Sequence, residues 1–361
     1  MKISIGTKIR KGPWGGGNLF AINLKNYLER NGHKVLNDLS EDDIDIILLT
    51  EPRKTSESSS FTHVDVLKYV TCVNNNSLVI HRINECDERK GTNFVNKFLI
   101  EANQVSDATI FVSTWLKNLF FRQQINQDNC HVILSGANKE IFNNKNFIPW
   151  DGINKLNIVT HHWGANWNKG FDIYSELDQL LSDTKYSERI SFTYIGNVPK
   201  GFKFKNTRQV NPLEGNDLAN EIKKSNLYLT ASLNEPSGNH HIEAAQCGLP
   251  LLYIDSGGIP EYCEGFGISF NKSNFESKLN EMIEDYKIYV NNIGEYSLNS
   301  EKMSKNYENL FNDMLSNKDD VINRRKKLKL NIIERFLYKT SRRIDKFFNA
   351  IYLKYFDSKF D

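Results

Sequence analysis

The chain has 361 residues, 39% of them hydrophobic, and its 46 basic and 44 acidic residues leave a net charge of +2. This length is sufficient for two domains with a core each. The near balance of charge gives no indication of a polyanionic partner, so we expect no nucleic-acid binding.

Cysteine usage and hydropathy indicate the cellular compartment. The five cysteines are scattered and form no C-x2-C pair, which argues against a disulfide framework or a zinc site and for a reducing environment. Residues 1–8 lack the apolar core of a signal peptide, and apolar runs such as residues 44–50 are too short to span a bilayer. We therefore expect a cytoplasmic protein that is not integral to a membrane.

Short apolar runs alternate with helical patterns, which predicts an α/β fold with parallel sheets. The predicted strands of a first domain are residues 2–6, 44–50, 77–81, 108–113 and 130–134, with a helix over 18–31. Residues 143–150 have linker composition, and the predicted strands of a second domain are 156–160, 191–196, 227–231 and 249–254. We predict two facing Rossmann-like domains, residues 1–148 and 149–315, followed by a helical tail over 316–361. Their ligand cleft is expected at the carboxyl ends of the strands.

A glycine-rich segment, residues 12–18, lies between the first predicted strand and its helix. Consecutive glycines such as Gly16 and Gly17 let a ligand approach the backbone, whose N–H groups can hold an anion. The rival interpretation is the dinucleotide fingerprint of a nicotinamide oxidoreductase, but the pattern G-x-G-x-x-G is absent and the glycines come late after the strand. A plain flexible turn is a further interpretation.

Residues 235–251 are the most informative segment. Two carboxylates, Glu235 and Glu243, lie eight positions apart across a loop and the first turns of a helix predicted over residues 239–247. Gly238 leaves the first N–H groups of that helix free, and such a terminus attracts phosphate oxygens. Carboxylates at this end of a helix can accept hydrogen bonds from sugar or ribose hydroxyls, so the segment predicts a nucleotide-sugar site.

This segment resembles the E-x7-E signature of the retaining glycosyltransferases with the GT-B fold, the group 1 class or family 4. The buried strand over residues 226–235 precedes it, and Asp255-Ser-Gly-Gly-Ile-Pro-Glu261 follows with a Gly-Gly-x-Pro-Glu loop. The alternative is that both glutamates are solvated charges. The resemblance covers roughly residues 1–315 and is most specific between 226 and 261.

The resemblance implies roles for individual residues. Glu243 would hold ribose hydroxyls, and Glu235 the O3 or O4 region of the donor sugar. The backbone at Gly238 and Asn239 would approach the sugar. We predict that His240, in the same helical turn, also binds the donor.

Two other segments match the same family. Asn166-Trp-Asn-Lys-Gly-Phe-Asp172 resembles its Lys-Gly-x-Asp element, in which Lys169 would neutralise donor phosphate. The polar run over residues 79–90 contains His81, which the resemblance places near C6 of the donor sugar; a buried structural histidine is the alternative. Gly16 and Gly17 would lie beside the diphosphate.

The sequence departs from the family at one position. An arginine usually lies five or six residues before Lys169, and those positions hold Gly164 and Trp163. His161 and His162 are candidates to replace it, as is Arg82 from the other domain; His162 and Arg82 are included among the donor-binding residues.

No metal or cofactor is expected. His240 and His241 are adjacent, so their rings cannot share one helix face in a metal site with Glu243. Asp43-Ile-Asp45 lies at the beginning of a strand, which is not the place of a manganese motif. The nucleoside-diphosphate sugar would be a co-substrate.

The sequence thus predicts a retaining, metal-independent glycosyltransferase that uses a glycan or lipid-linked glycan acceptor, in surface polysaccharide or glycoconjugate synthesis. Two alternatives stay open: a nucleotide-sugar epimerase of the same fold, and a catalytically inactive subunit that binds sugar nucleotide or glycan.

The tail over residues 321–356 is basic and aromatic, with apolar residues at helical spacing. One hypothesis is an amphipathic helix on the anionic inner face of the cell membrane, with access to a lipid-linked acceptor. The other is a helix that packs back across the first domain with an exposed basic face.

Overall fold

The computed structural model of the chain describes residues 1–10, 12, 15–325, 328 and 330–356, with the side chains of residue 346 and of residues 349–356 left out. Pro13 and Trp14 of the glycine-rich segment, and residues 326, 327, 329 and 357–361 of the predicted tail, therefore lie outside the described residues.

The first domain is built on a six-stranded parallel sheet. Its strands are β1 (Lys2–Ile5), β2 (Lys34–Leu36), β3 (Ile46–Leu49), β4 (Leu78–Ile83), β5 (Ala108–Phe111) and β6 (Cys130–Val132). Their spatial order is β2-β1-β3-β4-β5-β6. The helices between them are α1 (Gly16–Arg30), α2 (His63–Cys72), α3 (Asp87–Lys90), α4 (Val95–Asn103) and α5 (Thr114–Arg122).

The second domain repeats this architecture. Its strands are β7 (Leu156–His162), β8 (Ile190–Gly196), β9 (Arg208–Val210), β10 (Leu227–Thr230), β11 (Leu251–Ile254) and β12 (Gly267–Phe270). Their order is β12-β11-β10-β7-β8-β9, again with parallel pairing. The helices are α6 (Phe171–Leu180), α7 (Thr184–Ser187), α8 (Gly215–Ile222), α9 (Asn239–Gln246), α10 (Ile259–Cys263), α11 (Phe275–Glu284) and α12 (Tyr286–Asn292), with short 3-10 turns at Trp167–Lys169 and Ile293–Glu295. The predicted pair of Rossmann-like domains is confirmed.

The sequence patterns do not predict β2, β9 and β12, all of which lie at sheet edges. An edge strand is covered on one side only, so it lacks the continuous apolar run that marks a buried parallel strand. The three residues of β9, Arg-Gln-Val, illustrate this.

After the second sheet, the chain returns to the first domain through α13 (Ser300–Ser316) and α14 (Lys318–Arg324). Met303, Tyr307 and Phe311 of α13 are buried in the same core as Phe20 of α1. The predicted limits of the domains and tail, 1–148, 149–315 and 316–361, stay predictions.

A buried ion pair fixes the chain just after α14. The guanidinium of Arg325 donates to both carboxylate oxygens of Asp107, at 2.7 and 2.6 Å, and to the carbonyl oxygens of Asn75 and Ser77. The Asp107 side chain is fully buried, so the pair holds this part of the chain against the amino ends of β4 and β5.

The last helix, α15 (Ile332–Phe356), lies against α2 of the first domain. Arg342 donates to the carbonyl oxygens of Leu39 and Ser40 at 2.6 and 2.7 Å. Within the described part of the chain, no helix combines the length and apolar character needed to cross a bilayer.

Side chains from α10 join the two domains on one side of the cleft. The hydroxyl of Tyr262 donates to the carbonyl oxygen of Val112 and accepts from the N–H of Ser135 at 3.0 Å. The carboxylate of Glu261 accepts from the N–H and the hydroxyl of Thr114, at 2.6 and 2.7 Å. Glu261 thus binds the N-terminus of α5, a favourable place for a carboxylate.

Candidate active site

A cleft of about 1380 Å³ lies between the carboxyl ends of the two sheets and is lined by both domains. It exceeds the range of ordinary small-ligand pockets, which reach about 1,000 Å³. Ten of the eleven site residues predicted from the sequence line it: Gly16, Gly17, Arg82, His162, Lys169, Glu235, Gly238, Asn239, His240 and Glu243.

Glu235 lies beyond the end of β10, and its side chain is held between two cations. Its Oε2 accepts from Lys169 Nζ at 2.7 Å, and its Oε1 lies 2.8 Å from Arg89 Nε. The residue is only 5% exposed. Burial alone raises the pKa of Glu235, but the Lys169 ammonium and the Arg89 guanidinium outweigh burial and hold that pKa well below its usual range. The carboxylate is therefore ionised at neutral pH and accepts hydrogen bonds only.

The Gly-Gly loop after β11 supports Glu235 from behind. Gly258 donates its N–H to the carbonyl oxygen of Glu235 at 2.8 Å. Gly257 has a φ of 67°, and a Cβ added there would lie 2.5 Å from the same carbonyl oxygen. Only glycine fits this close approach in the left-handed region, so the loop that the sequence analysis singled out positions the carboxylate.

Two helix N-termini face each other across the cleft. Helix α1 begins after Gly15 and helix α9 after Gly238; neither glycine can cap its helix with a side chain, and φ is 77° and 78°. A Cβ added at Gly16 would lie 3.3 Å from the Asn239 side chain, so the two termini nearly touch. Uncapped N–H groups and aligned peptide dipoles make such termini favourable for anions, and two together suit a diphosphate.

Glu243 lies one turn inside α9 and is hydrogen-bonded to a histidine from β7, the first strand of the second domain. His161 Nε2 donates to Glu243 Oε2 at 2.8 Å, and the Tyr228 hydroxyl lies 3.1 Å from His161 Nδ1. This chain of hydrogen bonds fixes the orientation of the carboxylate, which keeps lone pairs free for ligand hydroxyls.

His162 and His240 lie deeper in the cleft wall. His162 Nε2 is 2.7 Å from the Tyr174 hydroxyl, and His240 Nε2 is 2.8 Å from the Thr230 hydroxyl. Burial lowers the pKa of both imidazoles well below the usual value, so both are neutral at pH 7. They can contribute hydrogen bonds to a ligand but no charge, which excludes His162 as a cationic replacement for the missing arginine.

His81 does not line the cleft, and its predicted place beside the donor sugar is corrected. His81 and the adjacent Arg82 point to opposite sides of β4, and of these two residues Arg82 lines the cleft. His81 is fully buried, with Nδ1 3.2 Å from Asn103 Nδ2, and burial lowers its pKa to about 3. It corresponds to the alternative of a structural histidine.

Arg82 is a buried cation for which the described residues provide no counter-charge. It is 5% exposed, and its guanidinium lies 3.8 Å from the centre of the Phe20 ring. The structure shows no ion pair between Arg82 and a carboxylate of the described residues, and Arg82 Nε has no hydrogen-bond partner among them. A buried, unneutralised guanidinium is costly unless a ligand compensates it, so its place in the cleft indicates an anion site.

Arg89 is a residue of the site that the sequence patterns do not predict. The short helix α3 places Arg89 between Glu235 of the second domain and Glu85, whose Oε1 accepts from Arg89 Nη1 at 3.0 Å. Asp87 fixes this segment by accepting from the N–H groups of Val95 and Asn96 at 2.9 and 3.0 Å. The polar composition of residues 79–90 was the available signal, but the direction in which α3 faces is set by tertiary contacts.

Among the residues that the structure describes, no group of three or more histidines, cysteines and carboxylates is arranged to hold a metal ion. Metal independence of the reaction stays a prediction.

Comparison with known proteins agrees with this geometry. Residues 204–300 match the family model of the glycosyl transferases group 1, a segment that includes Glu235, Glu243 and the Gly-Gly loop. No curated protein sequence matches the chain at a significant level.

Solved glycosyltransferases share the fold across both domains. HepE of Anabaena, in complex with UDP and glucose, has 13% identity and a TM-score of 0.61, covering 87% of this chain and 100% of its own. The catalytic domain of starch synthase IV from Arabidopsis thaliana, bound to ADP and acarbose, has 12% identity and a TM-score of 0.65, covering 87% of this chain and 99% of its own. A glycosyltransferase from Rickettsia africae has 14% identity and a TM-score of 0.60, covering 88% and 99%.

The chain therefore has the GT-B fold of these solved glycosyltransferases, and residues 204–300 match the family model of the glycosyl transferases group 1. The resemblance stated from the sequence is confirmed at this level.

Proposed function

We propose that the chain is a retaining, metal-independent glycosyltransferase that moves a sugar from a nucleoside-diphosphate sugar to a glycan or lipid-linked glycan. Its biological setting would be the synthesis of a surface polysaccharide or glycoconjugate. No cofactor takes part, because the nucleotide sugar is a co-substrate. The observation that carries the proposal is the ionised Glu235, which lies between Lys169 and Arg89 in the cleft where the two uncapped helices meet.

The cleft offers a distinct partner for each part of such a donor. Glu243, oriented by His161, would accept hydrogen bonds from ribose hydroxyls. The N-termini of α1 and α9 would hold the diphosphate, with Lys169 at its side. Structures of similar fold contain UDP or ADP, which supports a nucleoside diphosphate of this kind.

We assign the role of the missing arginine to Arg82. It enters the cleft from the first domain, and it is the buried guanidinium that lacks a neutralising carboxylate among the described residues. A phosphate oxygen would supply that negative charge and gain charge-assisted hydrogen bonds.

Glu235 would hold hydroxyls of the donor sugar. It is an acceptor only, so it selects groups that donate hydrogen bonds. Arg89 is a positioning residue in this proposal, because it fixes the carboxylate from the first domain and so couples the geometry of the sugar site to the approach of the two domains.

Transfer with retention would proceed on one face of the sugar. The bond between C1 and the diphosphate oxygen breaks, and the acceptor oxygen bonds to C1 on the same face. The acceptor's proton passes to the departing phosphate oxygen. Lys169, Arg82 and the two helix N-termini stabilise the growing negative charge. The contacts of Glu261 and Tyr262 with the first domain hold the two domains together on one side of the cleft, which would restrict the access of water that hydrolyses the donor.

The proposed location is the cytoplasm, with peripheral attachment to the inner face of the cell membrane. A lipid-linked acceptor would be presented there, whereas a donor nucleotide sugar is water-soluble.

A screen of nucleotide sugars by mass spectrometry, for binding and for slow hydrolysis, tests the function. We expect one donor class to be consumed, with unchanged rate in EDTA and with the donor's anomeric configuration preserved in the product by NMR. Free sugar of altered configuration without acceptor would instead identify an epimerase, and saturable binding without transfer or hydrolysis an inactive binding subunit.

Two variants test the site. Glu235→Gln and Lys169→Ala should each lower kcat/KM by about a hundredfold or more, because each removes an electrostatic contact of the reacting donor. Circular dichroism should show that both remain folded. A wild-type rate in either variant would contradict the role given to that residue.

A further inference from the structure

The last helix, α15, is bound to the protein by its polar side. Of residues 331–345, 347 and 348, all are exposed except Tyr338 and Arg342, which lie one turn apart. Arg342 donates to three consecutive carbonyl oxygens, those of Leu39, Ser40 and Glu41, and pairs with the carboxylate of Asp42. The helix therefore contacts the first domain along the line of Tyr338 and Arg342.

The apolar side of α15 is consequently turned away from the protein. Seven large apolar side chains of this helix are at least half exposed: Ile332, Ile333, Phe336, Leu337, Ile344, Phe347 and Phe348. At 3.6 residues per turn, Ile333, Phe336 and Phe347 lie on the side opposite Tyr338 and Arg342. An amphipathic helix of a globular protein normally buries its apolar stripe and exposes its polar face. The reverse orientation leaves an apolar surface that requires a partner.

The charge of this segment identifies the kind of partner. Helix α15 itself contains six Lys or Arg and two acidic residues, a net charge of +4, and residues 321–331 before it add five Lys or Arg. Residues 321–356 thus carry +9 in a chain whose total is +2, so the remainder carries −7. Arg335, Lys339 and Arg343 are exposed beside the apolar stripe. A second copy of the chain would bring like charges together, whereas an anionic lipid surface attracts basic side chains and accommodates apolar ones.

We propose that the outward face of α15 is a membrane-docking surface that inserts Phe336 and Phe347 into the headgroup region of an anionic bilayer. Because Arg342 binds the helix to the first domain, docking of α15 would bring the whole enzyme to the membrane surface. The membrane contact rests on the proposed function in one respect: a lipid-linked acceptor would explain why the enzyme docks on a bilayer. The lipid contact itself depends on α15 alone.

Vesicle sedimentation with the full chain tests the proposal. Vesicles of phosphatidylglycerol and phosphatidylcholine in equal parts should bind the wild-type protein, and vesicles of phosphatidylcholine alone should bind it about tenfold or more less tightly. Raising the salt concentration should weaken the first interaction, because it screens the charges.

A matched pair of variants separates the surface from general hydrophobicity. Phe336→Ser with Phe347→Ser should weaken vesicle binding by about tenfold or more, since two inserted aromatic rings are lost. Ile148→Ser with Ile153→Ser removes side chains that are 76% and 89% exposed but lie outside α15, and should leave binding within about twofold.

Several outcomes would overturn the proposal. The first is that the wild-type protein does not bind anionic vesicles, and the second is that the two double variants bind them equally well. The third is that the wild-type protein is a dimer that does not bind vesicles and that F336S/F347S converts to a monomer. Failure of the proposed function is distinguishable: E235Q should bind vesicles like the wild type, and F336S/F347S should bind the donor in solution like the wild type.

Discussion

At the scale of single residues, the site is a set of charges whose partners cross the domain boundary. Glu235 is ionised because Lys169 and Arg89 outweigh its burial, whereas Arg82 has no such counter-charge among the described residues. Among the described residues, the cleft thus contains a satisfied buried cluster around Glu235 and an unsatisfied buried cation, Arg82, and the difference between them predicts where a ligand's charge belongs.

Arg82→Gln tests this reasoning. It should raise the Kd for a nucleoside diphosphate by about tenfold to a hundredfold, because the charge-assisted hydrogen bonds to phosphate are lost. The Kd for the bare nucleoside should stay unchanged. Isothermal titration calorimetry measures both.

The same variant should weaken diphosphate binding without weakening the folded protein. Because an uncompensated buried charge is removed, R82Q should not lower the free energy of unfolding of the ligand-free protein in urea. A large loss of stability together with normal diphosphate affinity would show that Arg82 is structural.

His81 gives a prediction on pH dependence. Its pKa is lowered by burial to about 3, below the value of about 6.5 in an unfolded chain. Between these two values the unfolded chain binds the extra proton, so this group makes the folded protein less stable as the pH falls. His81→Gln should reduce the slope of unfolding free energy against pH by about 1.4 kcal/mol per pH unit in that window. Urea unfolding at pH 7, 6 and 5 measures the slope; an unchanged slope would contradict a buried neutral imidazole.

The pair of His81 and Arg82 also shows what sequence could predict of the site. Ten of eleven predicted residues line the cleft because short motifs at strand ends converge there by the logic of parallel sheets. His81 and Arg82 point to opposite sides of β4, and the sequence alone does not say which of the two lines the cleft. Arg89 was missed because its role depends on the direction of α3, which long-range contacts determine.

At the scale of secondary-structure elements, turns and helix termini place the chemistry. The Gly-Gly loop after β11 and the two uncapped helices all use glycine where a side chain would collide or cap. The fold thus places the N-termini of α1 and α9 at the cleft and the Gly-Gly loop against the backbone of Glu235.

Gly257→Ala, with Gly265→Ala as control, tests the role of the loop. Both glycines have positive φ, 67° and 84°, so both substitutions cost about 1 kcal/mol of backbone strain. Only the Cβ at 257 would meet the Glu235 backbone; that at 265 would meet nothing within 4 Å. G257A should therefore lower kcat/KM by about a hundredfold, since it displaces Glu235, while G265A keeps it within about twofold. Equal activity of the two variants would show that the loop does not position the carboxylate.

At the scale of the whole molecule, the alternation of strands and helices was predictable from the sequence, but three of the edge strands of the two sheets were not. The central strands have continuous apolar runs, while β2, β9 and β12 are short edge strands whose pairing depends on the assembled sheet. The return of α13 to the first domain depends on contacts between residues far apart in sequence, such as Tyr307 with Phe20.

The tail illustrates the same limit. Its helical spacing and basic charge were visible in the sequence, and two interpretations stood side by side: packing on the first domain, or contact with a membrane. The structure shows that α15 packs on the first domain through Arg342 and leaves its apolar side exposed. One helix has two sides, so packing on the protein does not exclude the proposed lipid contact.

The most direct test of the central claim is a crystal structure with the consumed nucleotide sugar bound. We expect the diphosphate between the N-termini of α1 and α9 with Arg82 and Lys169 beside it, ribose hydroxyls on Glu243, and the sugar on Glu235. A donor bound elsewhere, or a cleft that stays empty while both glutamates point into bulk water, would contradict the account.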